Sequence, residues 1–253
     1  MNTIWITGGS TGIGFAVAQK FIQENWRVII SSSNEKKLES AKKEIISRYK
    51  KCEIYSYKCD ISNRLEVEKT INKIEKDINK IDIALLNAAA YSPNKNQDFE
   101  IANYEKLIEV NLKGTLYCIE MLKKQMELRK KGHIAIVSSP VGYRGLPTAG
   151  AYGLTKAGLI NLAESLYFDF KQYNIKISVI NPGFIESEST KLNSFPMPFL
   201  RSAEYAANKI FLGLTKSYKF EIYFPKFFLI LMKIGKILPY KIYFYLIKKI
   251  TKL

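Results

Sequence analysis

Residues 7–14 read Thr7-Gly8-Gly9-Ser10-Thr11-Gly12-Ile13-Gly14, and their setting decides the fold. An apolar run over residues 2–7, with Ile4, Trp5 and Ile6, leads straight into the glycines. A helical pattern follows, with Val17, Phe21 and Ile22 apolar. A strand, a glycine-rich turn and a helix, in that order, form a phosphate-binding unit. Glycine lets the backbone turn tightly and approach a pyrophosphate with no Cβ in the way. The helix then offers free N–H groups and the positive end of its dipole. Gly8, Ser10, Thr11, Gly12, Ile13 and Gly14 are therefore candidate cofactor contacts.

Outward from this turn, short Ile- and Val-rich runs alternate with amphipathic stretches. Strands are expected at 2–7, 27–32, 53–57, 82–86, 133–138 and 176–181. Between them, Leu38, Ala41 and Ile45 within 35–47, and Val67, Ile71, Ile74 and Ile78 within 62–79, recur at helical spacing. Strand–helix alternation of this period indicates a doubly wound α/β fold, a parallel sheet with helices on both faces. The second strand ends in Ser31-Ser32-Ser33-Asn34, with no acid before Glu35 and with Lys36 and Lys37 close by. An acid in that region binds the ribose hydroxyls and favours NAD. Ser32 and Ser33 beside lysines tolerate a 2′-phosphate better, so NADP is the expected cofactor and NAD the alternative.

Ser138-Ser139-Pro140 follows the fifth strand, and Tyr152 and Lys156 lie further on. Residues four apart share a helix face, so a helix starting near Ala151 sets phenol and ammonium side by side. A free tyrosine has a pKa of about 10. A neighbouring cation favours the phenolate, and a tuned phenol can exchange a proton with an alcohol while hydride moves. The Ser139 hydroxyl can hydrogen-bond the reacting oxygen.

Together these motifs make the sequence, from residue 2 to about 225, resemble the short-chain dehydrogenase/reductase family. The resemblance implies a Rossmann-like domain of seven strands with the cofactor over the strand ends. It implies a reaction interconverting a ketone and a secondary alcohol, with Asn111, Ser139, Tyr152 and Lys156 as the catalytic tetrad. Asn111 looks like the asparagine that holds a proton-relay water. Asp60, with Ile61 beside it, looks like the adenine-side acid, and Asn87-Ala88-Ala89 like the fourth-strand motif. Asn181-Pro182-Gly183 with Ile185 and Ser187 looks like the segment against the nicotinamide amide. Three positions depart from the family pattern: Ala90 replaces a glycine, Ser187 replaces a threonine, and the end of the second strand is neutral. The tetrad is complete, which favours a live enzyme over the alternative, a catalytically silent NAD(P)-binding redox sensor.

Composition narrows the classes further. The three cysteines, Cys52, Cys59 and Cys118, make no zinc or redox spacing, and His133 is the single histidine. A metal centre or a histidine-based triad has little to build on. The reduced cysteines and the lack of a secretory pattern ahead of the first strand point to a cytoplasmic protein, with the inner face of a membrane as a peripheral location. The formal net charge is +16. It suits a lysine-rich surface, an anionic membrane or an acidic partner, but no basic stripe with aromatics marks a nucleic-acid module. The loop after Gly183 carries Leu192, Phe195, Met197, Phe199 and Leu200, which suit either an apolar pocket or an ordinary lid. The substrate is then a small carbonyl or alcohol compound, lipophilic if the loop lines a pocket. The resemblance also implies a homo-oligomer paired through helices within 103–128 and 157–170.

The last stretch differs in character. Residues 215–253 hold nine lysines and one acid, Glu221. Residues 226–253 read as a basic, apolar helical tail after a catalytic domain of residues 1–225. Phe227 to Met232 and Ile242 to Ile247 are apolar, and Pro239 separates them. Such segments are too short for a hydrocarbon layer of about 30 Å but can lie in its interface. A lid over the site or an oligomer contact is the alternative. Leu238-Pro239 looks like a pair found in the tails of a related group of reductases.

Overall fold

The computed structural model describes residues 1–92, 99–193 and 196–251. Seven strands form one sheet: β1 (Thr3–Thr7), β2 (Arg27–Ser32), β3 (Ile54–Lys58), β4 (Ile83–Leu86), β5 (Gly132–Val137), β6 (Ile175–Pro182) and β7 (Glu221–Phe224). Their order is β3-β2-β1-β4-β5-β6-β7, and every pairing is parallel. Side chains alternate between the faces, as the two-residue strand period requires. Ile4, Ile6, Ile83, Leu85, Ala135 and Val137 enter one core, under α1 (Gly12–Gln23), α2 (Glu35–Arg48) and α7 (Ala203–Thr215). Trp5, Ala84, Leu86, Ile134 and Ile136 enter the other, under α3 (Arg64–Asp77), α5 (Gly114–Leu128) and α6 (Gly150–Asp169). Burial on both faces explains why the strands read as unbroken apolar runs.

Local sequence sets the helix starts. Asn34 caps α2 by accepting from the Lys37 N–H at 3.0 Å, and Asn63 caps α3 by accepting from Leu65 and Glu66. α4 (Ile101–Leu107) runs through a π-helical turn, Ile108–Lys113, into α5. Such wide turns concentrate at functional positions, and this one carries Asn111. From β1 the chain winds outward through β2 to β3, then returns to start β4 on the other side of β1. That reversal is a topological switch point, and ligands of this architecture bind outside the strand ends beside such a point.

Two further helices close the chain, α8 (Lys226–Ile237) and α9 (Tyr240–Thr251), separated at Leu238-Pro239. Leu229 of α8 is fully buried in the second core. Burial of such a side chain contributes about 2 kcal/mol. Among the described residues, no helix is long and apolar enough to cross a membrane.

Candidate active site

The glycine turn after β1 has the backbone its sequence implies. Gly8 and Gly12 adopt φ of +65° and +55°, conformations that disfavour a side chain. A Cβ on Gly14 would stand 2.3 Å from the Gly8 carbonyl oxygen, and one on Gly8 would stand 2.8 Å from the Ala88 Cα. The Asn87 amide donates to the carbonyls of Thr7 and Gly8, both at 3.1 Å. The Thr7 hydroxyl accepts from the Asn87 and Ala88 N–H groups. Asn87 and Ala88 thus brace the turn from β4, and Thr7 is a partner that sequence reading overlooked.

At the end of β2, the Ser10 hydroxyl donates to that of Ser32 at 3.2 Å, and Ser33 is exposed. Lys37 is paired with Glu188 at 2.6 Å, across 151 residues of sequence. After β3, Asp60 accepts from the Ser62 N–H and hydroxyl, while its own N–H donates to Glu66. Ile61 is buried beside Gly114.

Ser139 leaves β5, where its hydroxyl accepts from the Val141 N–H at 3.4 Å, and Tyr152 and Lys156 stand on α6. The Lys156 ammonium is buried, lies 5.4 Å from the centre of the Tyr152 ring and donates to the Val137 carbonyl at 2.9 Å. Burial pushes its pKa down to about 8. The Tyr152 phenol moves the other way. Burial pushes it well above its ordinary value, and the nearby Tyr91 adds to this while Ser139 opposes it. The expectation of a phenol lowered by Lys156 is therefore corrected for the protein's own groups. Desolvation dominates, and the ammonium is spent on a backbone carbonyl.

Asn111 is buried and faces the neighbouring backbone. Its side chain accepts from the Ala90 N–H at 2.7 Å and donates to the Ala90 carbonyl at 3.0 Å and the Thr155 hydroxyl at 3.2 Å. Its own carbonyl accepts from the Thr115 hydroxyl. Ala90 lies outside the positive-φ residues, so replacing glycine there costs no backbone strain. At the end of β6, the Gly183 N–H donates to Phe224 at 2.8 Å, and Ile185 is buried. Ser187 and Thr190 exchange hydrogen bonds in the loop that follows. In that loop Leu192, Phe199 and Leu200 are exposed and Met197 is half-buried. Phe195 lies outside the described residues.

The ends of β1, β4, β5 and β6 thus bring the glycine turn, Asn87, Ser139, Tyr152, Lys156 and Gly183 to one edge of the sheet. Tyr91 joins them. Its ring meets Tyr152 edge-on, and its hydroxyl donates to Asn193. His133 sits elsewhere, against the Ser178 hydroxyl, and burial lowers it to about 4. Among the described residues, no three or more His, Cys, Asp or Glu side chains gather as a metal group.

The profile of the short chain dehydrogenase family matches residues 2–195. The chain belongs to that family. A 3-oxoacyl acyl-carrier-protein reductase, FabG, from Rickettsia prowazekii is 34% identical over 193 residues, 76% of each chain. An uncharacterized oxidoreductase of Myxococcus xanthus is 26% identical over 238 residues, 94% of this chain and 93% of that one. Among solved structures, ElxO with NADP bound superposes with a TM-score of 0.79 at 27% identity, covering 88% of this chain and 97% of that one. A tyrosine-to-phenylalanine variant of ElxO with NADPH bound gives 0.78 at the same identity. The chain is therefore a short-chain oxidoreductase with a Rossmann-like fold.

Proposed function

We propose that this short-chain oxidoreductase interconverts an apolar ketone and the corresponding secondary alcohol with NADP(H), using Tyr152 as acid and base. The observation that carries the reading is the Tyr152 ring 5.4 Å from a buried Lys156 ammonium, on the edge that holds Ser139 and the glycine turn. A nicotinamide dinucleotide fits this edge. The positive φ of Gly8 and Gly12 and the Cβ-free approach at Gly14 leave backbone room for a pyrophosphate. Gly8, Ser10, Thr11, Gly12, Ile13 and Gly14 would hold it, with Asp60, Ile61, Asn87 and Ala88 towards the adenosine and centre, and Pro182, Gly183 and Ile185 towards the nicotinamide. Ser32, Ser33 and Lys37 suit a 2′-phosphate, and the NADP-bound ElxO structure supports the same choice. When bound, the cofactor gives or takes the hydride.

The chain's own groups do the rest. A Tyr152 held above its ordinary pKa is a neutral phenol, the form that donates a proton to a ketone oxygen receiving hydride. Ser139 hydrogen-bonds that oxygen, and the Lys156 ammonium is held on the Val137 carbonyl beside the phenol. Asn111 holds Ala90 and Thr155, which border the site. Following NADPH oxidation across ketones and β-keto thioesters of graded chain length tests the reading. Binding of NADPH with no turnover on any of them would leave a redox sensor instead.

Exposed apolar side chains suggest where the protein works. Phe227, Ile230, Leu231, Ile234 and Ile237 form a stripe on the outer face of α8, and Ile242, Leu246 and Ile250 form one on α9. Lys226, Lys236, Lys241, Lys248 and Lys249 are exposed around them. This pattern supports peripheral docking on an anionic membrane surface, with delivery of a lipophilic substrate. Leu116 of α5 and Tyr167 and Phe168 of α6 are also exposed, which supports pairing of two copies through these helices. Light scattering that finds only monomer at micromolar concentration would reject the pairing.

A further inference from the structure

We propose that Glu221 is a positioning residue for the reaction: one carboxylate fixes the two segments that flank the reacting carbonyl and ties both to the C-terminal helix α8. The proposal rests on the reductase reading above. Glu221 opens β7 and is half-buried. Its Oε1 accepts from the Tyr143 hydroxyl and from the Asn181 amide at 2.9 Å, and its Oε2 pairs with Lys233 of α8. Burial alone would raise the Glu221 carboxyl, but the bonds from Lys233, Tyr143 and Asn181 outweigh it and hold the pKa below its ordinary value.

The first arm reaches the catalytic residues. Tyr143 is buried at the end of the loop that starts at Ser139. Its neighbour Gly142 lies so close to α6 that a Cβ there would stand 2.7 Å from the Lys156 carbonyl oxygen. That same oxygen accepts from the Ser138 hydroxyl at 2.8 Å. The loop from 138 to 143 therefore seats the backbone of Lys156, and Tyr152 stands one turn earlier on α6. The second arm is Asn181, which immediately precedes Pro182-Gly183. Reacting atoms must be placed closely, since a shift of about 1 Å costs about a hundredfold in rate.

The third arm gives the tail an influence on this geometry. Lys233 also lies over the Tyr223 ring at 4.2 Å. Next to Tyr143, Arg144 is held between the Tyr240 and Tyr243 rings and donates to the carbonyls of Gly235 and Leu238, both at 2.6 Å. The Tyr243 hydroxyl then donates to the Gly145 carbonyl at 2.7 Å. Three consecutive residues of the catalytic loop are thus anchored to β7 or to the tail. Removing Lys233 leaves a half-buried carboxylate short of its counter-charge, a cost that it relieves by turning to water and loosening its hold on Tyr143 and Asn181.

Full-length Lys233→Met, Lys233→Arg and Glu221→Gln variants test this, each compared with wild type for thermal midpoint, NADPH affinity, kcat, KM and amide hydrogen exchange. Lys233→Met and Glu221→Gln are expected to lose about tenfold or more in kcat, with NADPH affinity within about twofold, as for a fault in alignment. Exchange should rise over residues 139–145 and 181–183 and stay unchanged in β1 and β2. Lys233→Arg, which keeps the charge, should recover most of the rate. Unaltered exchange over 139–145 in Lys233→Met, or unaltered kcat in Lys233→Met and Glu221→Gln, overturns the proposal. So does a loss of rate that only follows a fall in thermal midpoint. If wild type reduces no ketone or β-keto thioester, the reductase reading fails on its own, and the exchange pattern still decides whether Glu221 and Lys233 hold the loop.

Discussion

The Tyr91 ring meets the Tyr152 ring edge-on, with centroids 4.9 Å apart and planes at 83°. This contact fixes the ring from the β4 side, while Lys156 lies 5.4 Å from its centre on the same helix. Edge-to-face pairs contribute about 0.5–1.5 kcal/mol beyond the area they bury. Packing against Tyr91 therefore helps set the orientation of Tyr152, and its proton is the part that the proposed chemistry uses.

Tyr152→Phe keeps the ring and its contact with Tyr91 and removes the proton. Turnover should fall by about a hundredfold or more, the usual contribution of a positioned general acid. NADPH affinity, measured by fluorescence titration, should change little. Near-wild-type turnover in this variant would falsify the proposed role.

Lys156 carries a cost that stability measurements can expose. Its pKa is lowered from 10.5 to about 8 by burial, so between these values the unfolded chain binds more protons than the folded one. Stability from this group therefore rises with pH through that window, and below pH 8 the buried charge destabilises the fold by about 3 kcal/mol. Lys156→Met removes that cost and also a hydrogen bond to Val137 worth about 1 kcal/mol. In denaturant titrations without cofactor at pH 7, the variant should be more stable by about 2 kcal/mol, and inactive. The difference should shrink, then reverse, as pH rises from 8 towards 10.5. A variant less stable than wild type at pH 7 contradicts this account of Lys156.

Much of this was legible because it depends on local chemistry. Thr7 to Gly14 read as a strand running into a glycine turn, and each of the six expected strands lies within one or two residues of its place. The four-residue spacing of Tyr152 and Lys156 put both on α6. The direction of the Tyr152 shift was not legible, because burial and the nearby Tyr91 arise only when folding brings distant parts of the chain together. Nor were the partners of Asn111 visible. Its side chain reaches back 21 residues to Ala90 and forward 44 to Thr155. The anchoring of the tail was equally hidden, since Lys233 and Arg144 meet their partners only after β7 has been placed.

Gly14→Ala should be damaging although it adds only one methyl group. The new Cβ would fall 2.3 Å from the Gly8 oxygen, which is backbone and cannot rotate away. Loss of about 1–3 kcal/mol of stability is expected, as for other overpacked positions. NADPH affinity should drop at least about tenfold as the turn shifts, since about 1.4 kcal/mol of lost binding suffices. Unchanged affinity by titration would place the pyrophosphate elsewhere.

The proposed cofactor preference assigns the 2′-phosphate to Ser32 and Lys37. Ser32→Asp sets a carboxylate where a 2′-phosphate would lie, so NADPH should weaken about tenfold or more and NADH should improve relative to it. Glu188→Gln should act in the opposite direction and modestly, because it frees Lys37 from an exposed pair at 2.6 Å. Parallel titrations of both cofactors check this. Tighter binding of NADH than NADPH by wild type would reverse the assignment.

The tail can be tested without disturbing its inner face. Truncation after Pro225 would strip Leu229 from the core and Lys233 from Glu221, so a damaged fold could be mistaken for lost docking. Ile230 and Ile234 offer a cleaner test, since both lie on the outer stripe of α8 and are 45% and 47% exposed. The Ile230→Glu, Ile234→Glu double variant places two carboxylates where apolar side chains would enter the interface. Each exposed tail lysine contributes about 1 kcal/mol of attraction near an anionic surface, so two opposite charges should cancel about two of them as well as the apolar insertion. Wild type should sediment with vesicles containing phosphatidylserine and much less with pure phosphatidylcholine. The double variant should remain in the supernatant with both and keep its turnover on a short, water-soluble ketone. An isologous contact through the same stripe would set lysine-rich helices against each other, which works against pairing of two copies there. If wild type ignores anionic vesicles and the double variant instead lowers the mass seen by light scattering, the stripe is a protein contact and the membrane reading is wrong.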